Sequence, residues 1–346
     1  MTKILLIDNG IEFDSIIARE KAIGGAETAF VSLVEALARS NFDVSVYNNC
    51  RNIGEINGVI WKKLSSSIHE ESFDILIINR GDKFLNFRKE VKKRIFWIHN
   101  PANYLLKWRY LSKLFLNPTT IVFSSQYHKS TYPVWCPSKD KVVIPYGVDS
   151  FILNSKIQKL APKPIAIFTS NPLRGLDWLL DRWENEIYPS VPNAEFHLYT
   201  GSKTYGSFGE KHTAKMKPII DRAKKLSTKG VQLFEPIERK KLIKKILNKR
   251  LFLYQGSKDE TFCMSVAEAQ TLGVPTVVCD LGCMSERVRD NETGFVCKNE
   301  TEFSQSTIKI LQDKLYWNKM HKNMIKDKKS YKSWNEIVKL WKKILV

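Results

Sequence analysis

The strongest constraint on this chain's fold is an alternation of short apolar runs with longer amphipathic stretches, and it occurs twice. Apolar, β-branched runs at 3–7, 43–47, 74–78, 94–98, 120–123 and 142–144 read as buried strands. Residues 26–39 read as a helix with Phe30, Leu33, Val34 and Leu37 on one face. The turn-rich run Pro145-Tyr146-Gly147-Val148-Asp149 closes this series. The pattern then restarts, with strands at 165–169, 195–199, 232–234, 250–254 and 276–278. Helices alternate with them at 176–185, 211–226, 239–248 and 265–272. Strand–helix alternation of this kind builds a parallel sheet covered by helices, so the fold class is α/β with two doubly wound, Rossmann-like domains. The breaks are expected at 1–150, 151–325 and 326–346. The tail over 322–346 reads as helical. Trp334 and Trp341 lie seven residues apart on one face of it, which packs the last segment back on the N-terminal domain.

A length of 346 residues suits two such domains. The net charge of +19 implies attraction to something anionic: nucleic acid, phosphorylated metabolites or an acidic membrane. The usual nucleotide signatures are missing. After the first strand comes IDNGIEFDS, without GxGxxG, and GxxxxGK[ST] is absent, which argues against a dehydrogenase or a P-loop enzyme. No Asp-x-Asp pair offers to hold a donor through a divalent metal. The six cysteines show neither CxxC nor zinc spacing and read as free thiols in a reducing compartment. No run of 18 apolar residues and no signal-peptide core is present, so a cytoplasmic location is expected, with peripheral membrane contact left open.

The densest chemical signal is GSKDETFCMSVAEAQTLG over 256–273. Glu260 and Glu268 are separated by seven residues, one in the loop after a strand and the other a turn into the following helix. The amides between them stand at a helix N-terminus, which is a natural cradle for a diphosphate. A capping Glu260 and a solvated Glu268 would be the plain structural alternative. Val266, Ala267, Ala269 and Leu272 surround Glu268 with apolar groups, however, and a buried carboxylate must be paired.

The segment ETFCMSVAEAQTLGVPTVVCDLG resembles the E-x7-E motif of glycosyltransferase family 4, the retaining "glycosyl transferases group 1" enzymes of the GT-B fold. Ser285-Glu286-Arg287-Val288 and 291–296 resemble the segments that follow that motif. Gly24-Gly25-Ala26-Glu27 is similar to the family's GGAE loop, and 144–149 to its interdomain segment. The likeness covers nearly the whole chain in order. It implies two domains facing across a cleft and a metal-independent, retaining transfer from a nucleotide-diphosphate sugar, UDP- or GDP-linked, to a hydroxyl acceptor. It also implies roles. Glu268 would hold the donor ribose, Glu260 the transferred sugar, and the amides of Phe262, Cys263 and Met264 the diphosphate. Gly24 and Gly25 would let the first loop approach the phosphates. His99, at the carboxyl end of a strand in FWIHNPANY, would stand near sugar and acceptor.

One departure stands out. Where the family shows an Arg and a Lys on the diphosphate, this chain has Arg174 alone, with Thr169 or Ser170 at the first basic position. The expected cofactor set is therefore empty, with no metal, and the expected partners are a sugar nucleotide and a glycan or lipid-linked acceptor. Over 104–116 (YLLKWRYLSKLFL), apolar residues mix with Lys107, Arg109 and Lys113, a pattern of interfacial helices that extends the partner list to an anionic membrane. The competing readings are another GT-B enzyme, a phosphorylase or a nucleotide-sugar epimerase, and a basic nucleic-acid-binding protein. The lysines lie on amphipathic helices without RRM, KH or helix-turn-helix signatures, so no nucleic-acid partner is expected.

Overall fold

The structure is a computed structural model that describes residues 1–346 except 88–89 and 202–205, and side chains except those of 66–67, 88–89 and 202–211. The chain divides into two units, Met1–Gly147 with Lys332–Val346, and Val148–Tyr331. The sequence reading set these breaks at 150 and 325 instead. The later return has a physical cause, because the turn at 327–331 is tied to the second unit. There Arg289 pairs with Asp327, and Tyr331 Oη reaches Gln270 Oε1 at 3.5 Å.

The first unit holds eight strands: β1 (Lys3–Asp8), β2 (Asp43–Asn48), β3 (Gly54–Ile56), β4 (Val59–Lys63), β5 (Ile75–Asn79), β6 (Lys93–Trp97), β7 (Thr120–Phe123) and β8 (Lys141–Val143). They pair in the order β3-β4-β2-β1-β5-β6-β7-β8, parallel throughout except for the β3–β4 hairpin. β1 and β5 are almost continuous apolar runs because helices cover both faces of such a sheet. The hairpin was not anticipated. Its turn, Asn57-Gly58, has φ of 55° and 77°, the left-handed pair that a two-residue turn between twisted strands requires.

The second unit holds β9 (Ile165–Phe168), β10 (Glu195–Tyr199), β11 (Val231–Phe234), β12 (Leu251–Tyr254), β13 (Thr276–Cys279) and β14 (Gly294–Cys297), all parallel, in the order β11-β10-β9-β12-β13-β14. The tail is not one helix. Lys314–Lys326 belongs to the second unit and Trp334–Leu345 to the first. Ser333 starts the latter with a capping box, in which its amide donates to Glu336 Oε2 at 2.8 Å. Trp334 and Trp341 are both buried. Trp341 meets Trp97 edge-on at 5.3 Å and Trp334 stacks on Tyr146 at 6.2 Å.

Strand order also fixes where ligands bind. In open parallel sheets the crevice opens at the carboxyl ends of neighbouring strands whose connections leave in opposite directions. In the first unit that point lies between β1 and β5, and in the second between β9 and β12.

Candidate functional site

The second unit places its two sequence-predicted loops at that switch point. After β9 the chain turns through Asn171, whose Oδ1 accepts from Leu173 N at 2.9 Å, and reaches Arg174. Gly175 follows with φ of +82° and lies against Gln255, where a Cβ would collide. A glycine there therefore sets the direction in which Arg174 leaves the turn. After β12 comes the loop carrying Glu260. Its carbonyl accepts from Cys283 N at 3.0 Å, and Gly282, with φ of +61°, leaves room for it.

Glu260 Oε2 is anchored twice. Tyr254 Oη donates at 2.6 Å and Arg174 Nη1 at 3.3 Å, while Oε1 has no hydrogen-bond partner among the described residues. The helix Met264–Thr271 then begins without a side-chain cap, after Cys263 in the left-handed region at φ of 60°. Phe262 and Cys263 are buried, and the Arg287 guanidinium lies 4.5 Å over the Phe262 ring.

Glu268, on that helix, is 7% exposed and paired, as its apolar surround demands. Arg239, opening the helix Arg239–Leu247, donates to Glu268 Oε1 from Nε at 2.8 Å and also from Nη2, and through Nη1 it holds Asp149. Burial raises the Glu268 carboxyl, Arg239 offsets this only in part, and nearby Asp149 raises it further. Arg239 itself is held firmly charged, because its two carboxylates outweigh its own burial. Glu268 Oε2 has no hydrogen-bond partner among the described residues. Both glutamates thus share one plan. An arginine fixes one oxygen and leaves the other without a hydrogen-bond partner among the described residues.

The first unit gathers a second polar cluster, of which the sequence pointed only to His99 and the glycine loop. Asp8 ends β1, Asn79 ends β5, and His99 lies two residues beyond β6. Asn79 Nδ2 donates to Asp8, so its Oδ1 faces His99 Nε2 at 2.6 Å and requires Nε2–H there. His99 Nδ1 is then free to accept from Tyr146 Oη. Burial first, then the nearby Arg80 and His128, push the His99 imidazole well below its usual range, so it is neutral at physiological pH. Both of its ring nitrogens are engaged within the unit.

Arg80 follows β5 with φ of 65° and donates to Glu27 at 2.8 Å and to Asp8 at 3.2 Å. Its Nη2 is buried without a partner among the described residues. Gly24 precedes the helix Gly25–Arg39 with φ of −64° and ψ of 157°, a conformation open to any residue. The glycines of this loop are therefore not demanded by backbone strain. The GGAE run instead delivers Glu27 to Arg80.

Sequence reasoning missed Arg239, Tyr254, Arg80 and Asn79. Two of these had a visible signal: Asn79-Arg80 interrupts a strand's apolar run at its carboxyl end, where α/β proteins put functional groups.

Residues 209–331 match the family model described as "Glycosyl transferases group 1". That stretch contains Arg239, Glu260, Glu268 and Arg287. The second unit carries a glycosyl transferases group 1 domain. No curated protein matches the chain in sequence. Solved structures match this glycosyltransferase over its full length. Sucrose-phosphate synthase from Thermosynechococcus elongatus superposes with a TM-score of 0.78 at 15% identity, covering 99% of this chain and 98% of that one. Anabaena HepE in complex with UDP and glucose gives 0.74 at 14% identity, covering 100% and 99%. A glycosyltransferase from Rickettsia africae gives 0.69 at 15% identity, covering 99% and 97%. The fold of the transferase is GT-B.

Proposed function

We propose that the protein transfers a sugar from a nucleotide-diphosphate donor to a hydroxyl of a glycan or lipid-linked acceptor, with retention at the anomeric carbon and without a metal. The observation that carries this reading is the matched pair of glutamates flanking the start of the helix Met264–Thr271, each fixed through one oxygen by an arginine. Glu268 Oε2 would accept from the ribose diol, and Glu260 Oε1 from a hydroxyl of the transferred sugar. Between them the amides of Phe262, Cys263 and Met264 would take the diphosphate, as a helix N-terminus does.

As the glycosidic bond breaks, negative charge gathers on the departing β-phosphate, and preorganised donors stabilise it. Arg174 supplies one cation. Arg287, with its Nε buried and without a hydrogen-bond partner among the described residues and its guanidinium against Phe262, is the proposed second, replacing the residue that 169–170 lack. In this reading His99 is neutral and positions the acceptor side through Asn79 and Tyr146, rather than acting as a base. The departing phosphate takes the acceptor's proton. A UDP-linked donor is favoured because HepE, which shares the fold, holds UDP and glucose.

The test is turnover of UDP- and GDP-sugars in EDTA with the product anomer read by NMR. An α-linked donor giving an α-linked product in EDTA supports the proposal. Inversion, or activity restored only by a divalent metal, overturns it.

A further inference from the structure

We propose that a basic cavity of the first unit docks the protein on an anionic lipid surface by taking a phosphate-bearing headgroup. The cavity, of about 660 Å³, lies where β6, β7 and β8 begin, the sheet edge opposite to that carrying Asn79 and His99. Lys92, Lys93, Arg94, Lys139, Lys141 and Lys343 line it, with Asp140 the only carboxylate among the described residues of its wall. Lys92 is offset by Asp74 at 2.7 Å. Lys141 donates to the carbonyls of Pro133 and Val134 at 2.9 and 2.8 Å, and Arg94 to those of Leu85 and Phe87 at 3.1 and 2.7 Å. Neutral carbonyls orient Lys141 without cancelling its charge. Lys93, Lys139 and Lys343 enter no ion pair among the described residues. A wall of this composition calls for an anion of more than one charge.

The rim says which source of phosphate fits. Leu116 lines the cavity and is 70% exposed, and Phe115 beside it is 77% exposed. On the Lys141 side stand Val134 and Trp135, 95% and 72% exposed. The helix Trp108–Leu116 already buries Tyr110 and Leu114, so its outward apolar groups have no part in the core. Exposed aromatic and aliphatic side chains around a surplus of lysines match the boundary between headgroups and acyl chains, where apolar insertion and attraction to acidic lipid add. A free phosphate would make no use of them. The sequence placed membrane contact along 104–116 beside His99. The structure puts the cations and the apolar rim together at the far end of that helix.

The inference stands apart from the transferase reading, and nucleotide-induced thermal shifts followed in parallel keep the two separable. Flotation of the full chain with phosphatidylcholine vesicles, with and without phosphatidylglycerol, should show binding only to the anionic set, weakening as salt rises. Three lysines near the surface set the magnitude, so the triple variant Lys93→Gln/Lys139→Gln/Lys343→Gln should lower partitioning about a hundredfold while leaving nucleotide shifts intact. Phe115→Ser/Trp135→Ser should weaken binding at all salt concentrations, and in the parent the fluorescence of Trp135 should shift to the blue on binding. Equal binding to neutral vesicles, an unchanged triple variant, or binding of inorganic phosphate or RNA without vesicle binding would each overturn the proposal.

Discussion

Replacing Arg239 by Met gives the sharpest stability prediction. The guanidinium spans Glu268 and Asp149 and is itself 19% exposed, while the Glu268 side chain is 10% exposed. Met fills most of the volume but leaves two carboxylates near one another, one of them desolvated. Breaking a buried pair in this way costs about 3 to 5 kcal/mol at neutral pH. For a unit of this size each kcal/mol lowers the midpoint by about 2 to 4 °C, so a drop of roughly 6 to 20 °C is expected in the unfolding of the second unit.

The pH dependence has a definite sign. Burial raises the folded-state carboxyl of Glu268 above its unfolded value, so the folded state binds the proton more readily. Stability linked to this group therefore falls as pH rises through the window between the unfolded and folded values, and the loss is complete above it. Met at 239 removes the offsetting cation and widens that window upward. Differential scanning calorimetry from pH 8 down to pH 5 should show the deficit of the variant shrinking as the pH falls. Adding Glu268→Gln should recover most of it at neutral pH. A deficit that is constant with pH, or a double variant no more stable than Arg239→Met, would refute the reasoning.

Arg174→Ala should behave in the opposite way. Its pair with Glu260 is part-exposed and contributes no more than about 1 kcal/mol, so the midpoint should hardly move while kcat falls at least tenfold. A large midpoint loss with unchanged kcat would assign Arg174 to structure instead. Arg287→Ala should raise the dissociation constant for the nucleoside diphosphate more than for the nucleoside, as measured by calorimetric titration, and equal effects would remove it from the phosphate site. Asn79→Leu deprives Asp8 of a donor and His99 Nε2 of an acceptor, and each orphaned buried group costs about 1 to 3 kcal/mol. Loss of stability in the first unit with donor binding intact is the expected outcome, read by denaturation and nucleotide titration together.

What was legible in the sequence is whatever depends on short-range pattern. Continuous apolar runs gave both parallel sheets, since burial on both faces writes itself into consecutive residues. The Asn57-Gly58 hairpin carried its signal in two residues and passed unread, because β3 is too short to show alternation. The tail looked like one helix, although Ser333 and Glu336 spell a fresh start. In the site, Glu260 and Glu268 were found because they sit close in sequence and share one loop and helix. Arg239 was missed because it meets Glu268 only through the fold, 29 residues away. Asp149 likewise lies 90 residues from the arginine it holds, and the turn-rich run that ends on it does not reveal that pairing. His99 was visible by position, but not its neutrality. That depends on burial together with Asn79 and Tyr146, which arrive from other strands and loops.

The central claim is that Glu268 and the helix start after Phe262 form the donor-nucleotide site, and thermal-shift titration of the full chain in EDTA with UDP, GDP and ADP tests it directly. At a hundred times its dissociation constant a ligand stabilises by about 2.7 kcal/mol, so one of the three should raise the midpoint by roughly 5 to 10 °C. Glu268→Gln should remove most of that shift while the variant stays folded. No shift with any nucleoside diphosphate, or the same shift in Glu268→Gln, would contradict the account.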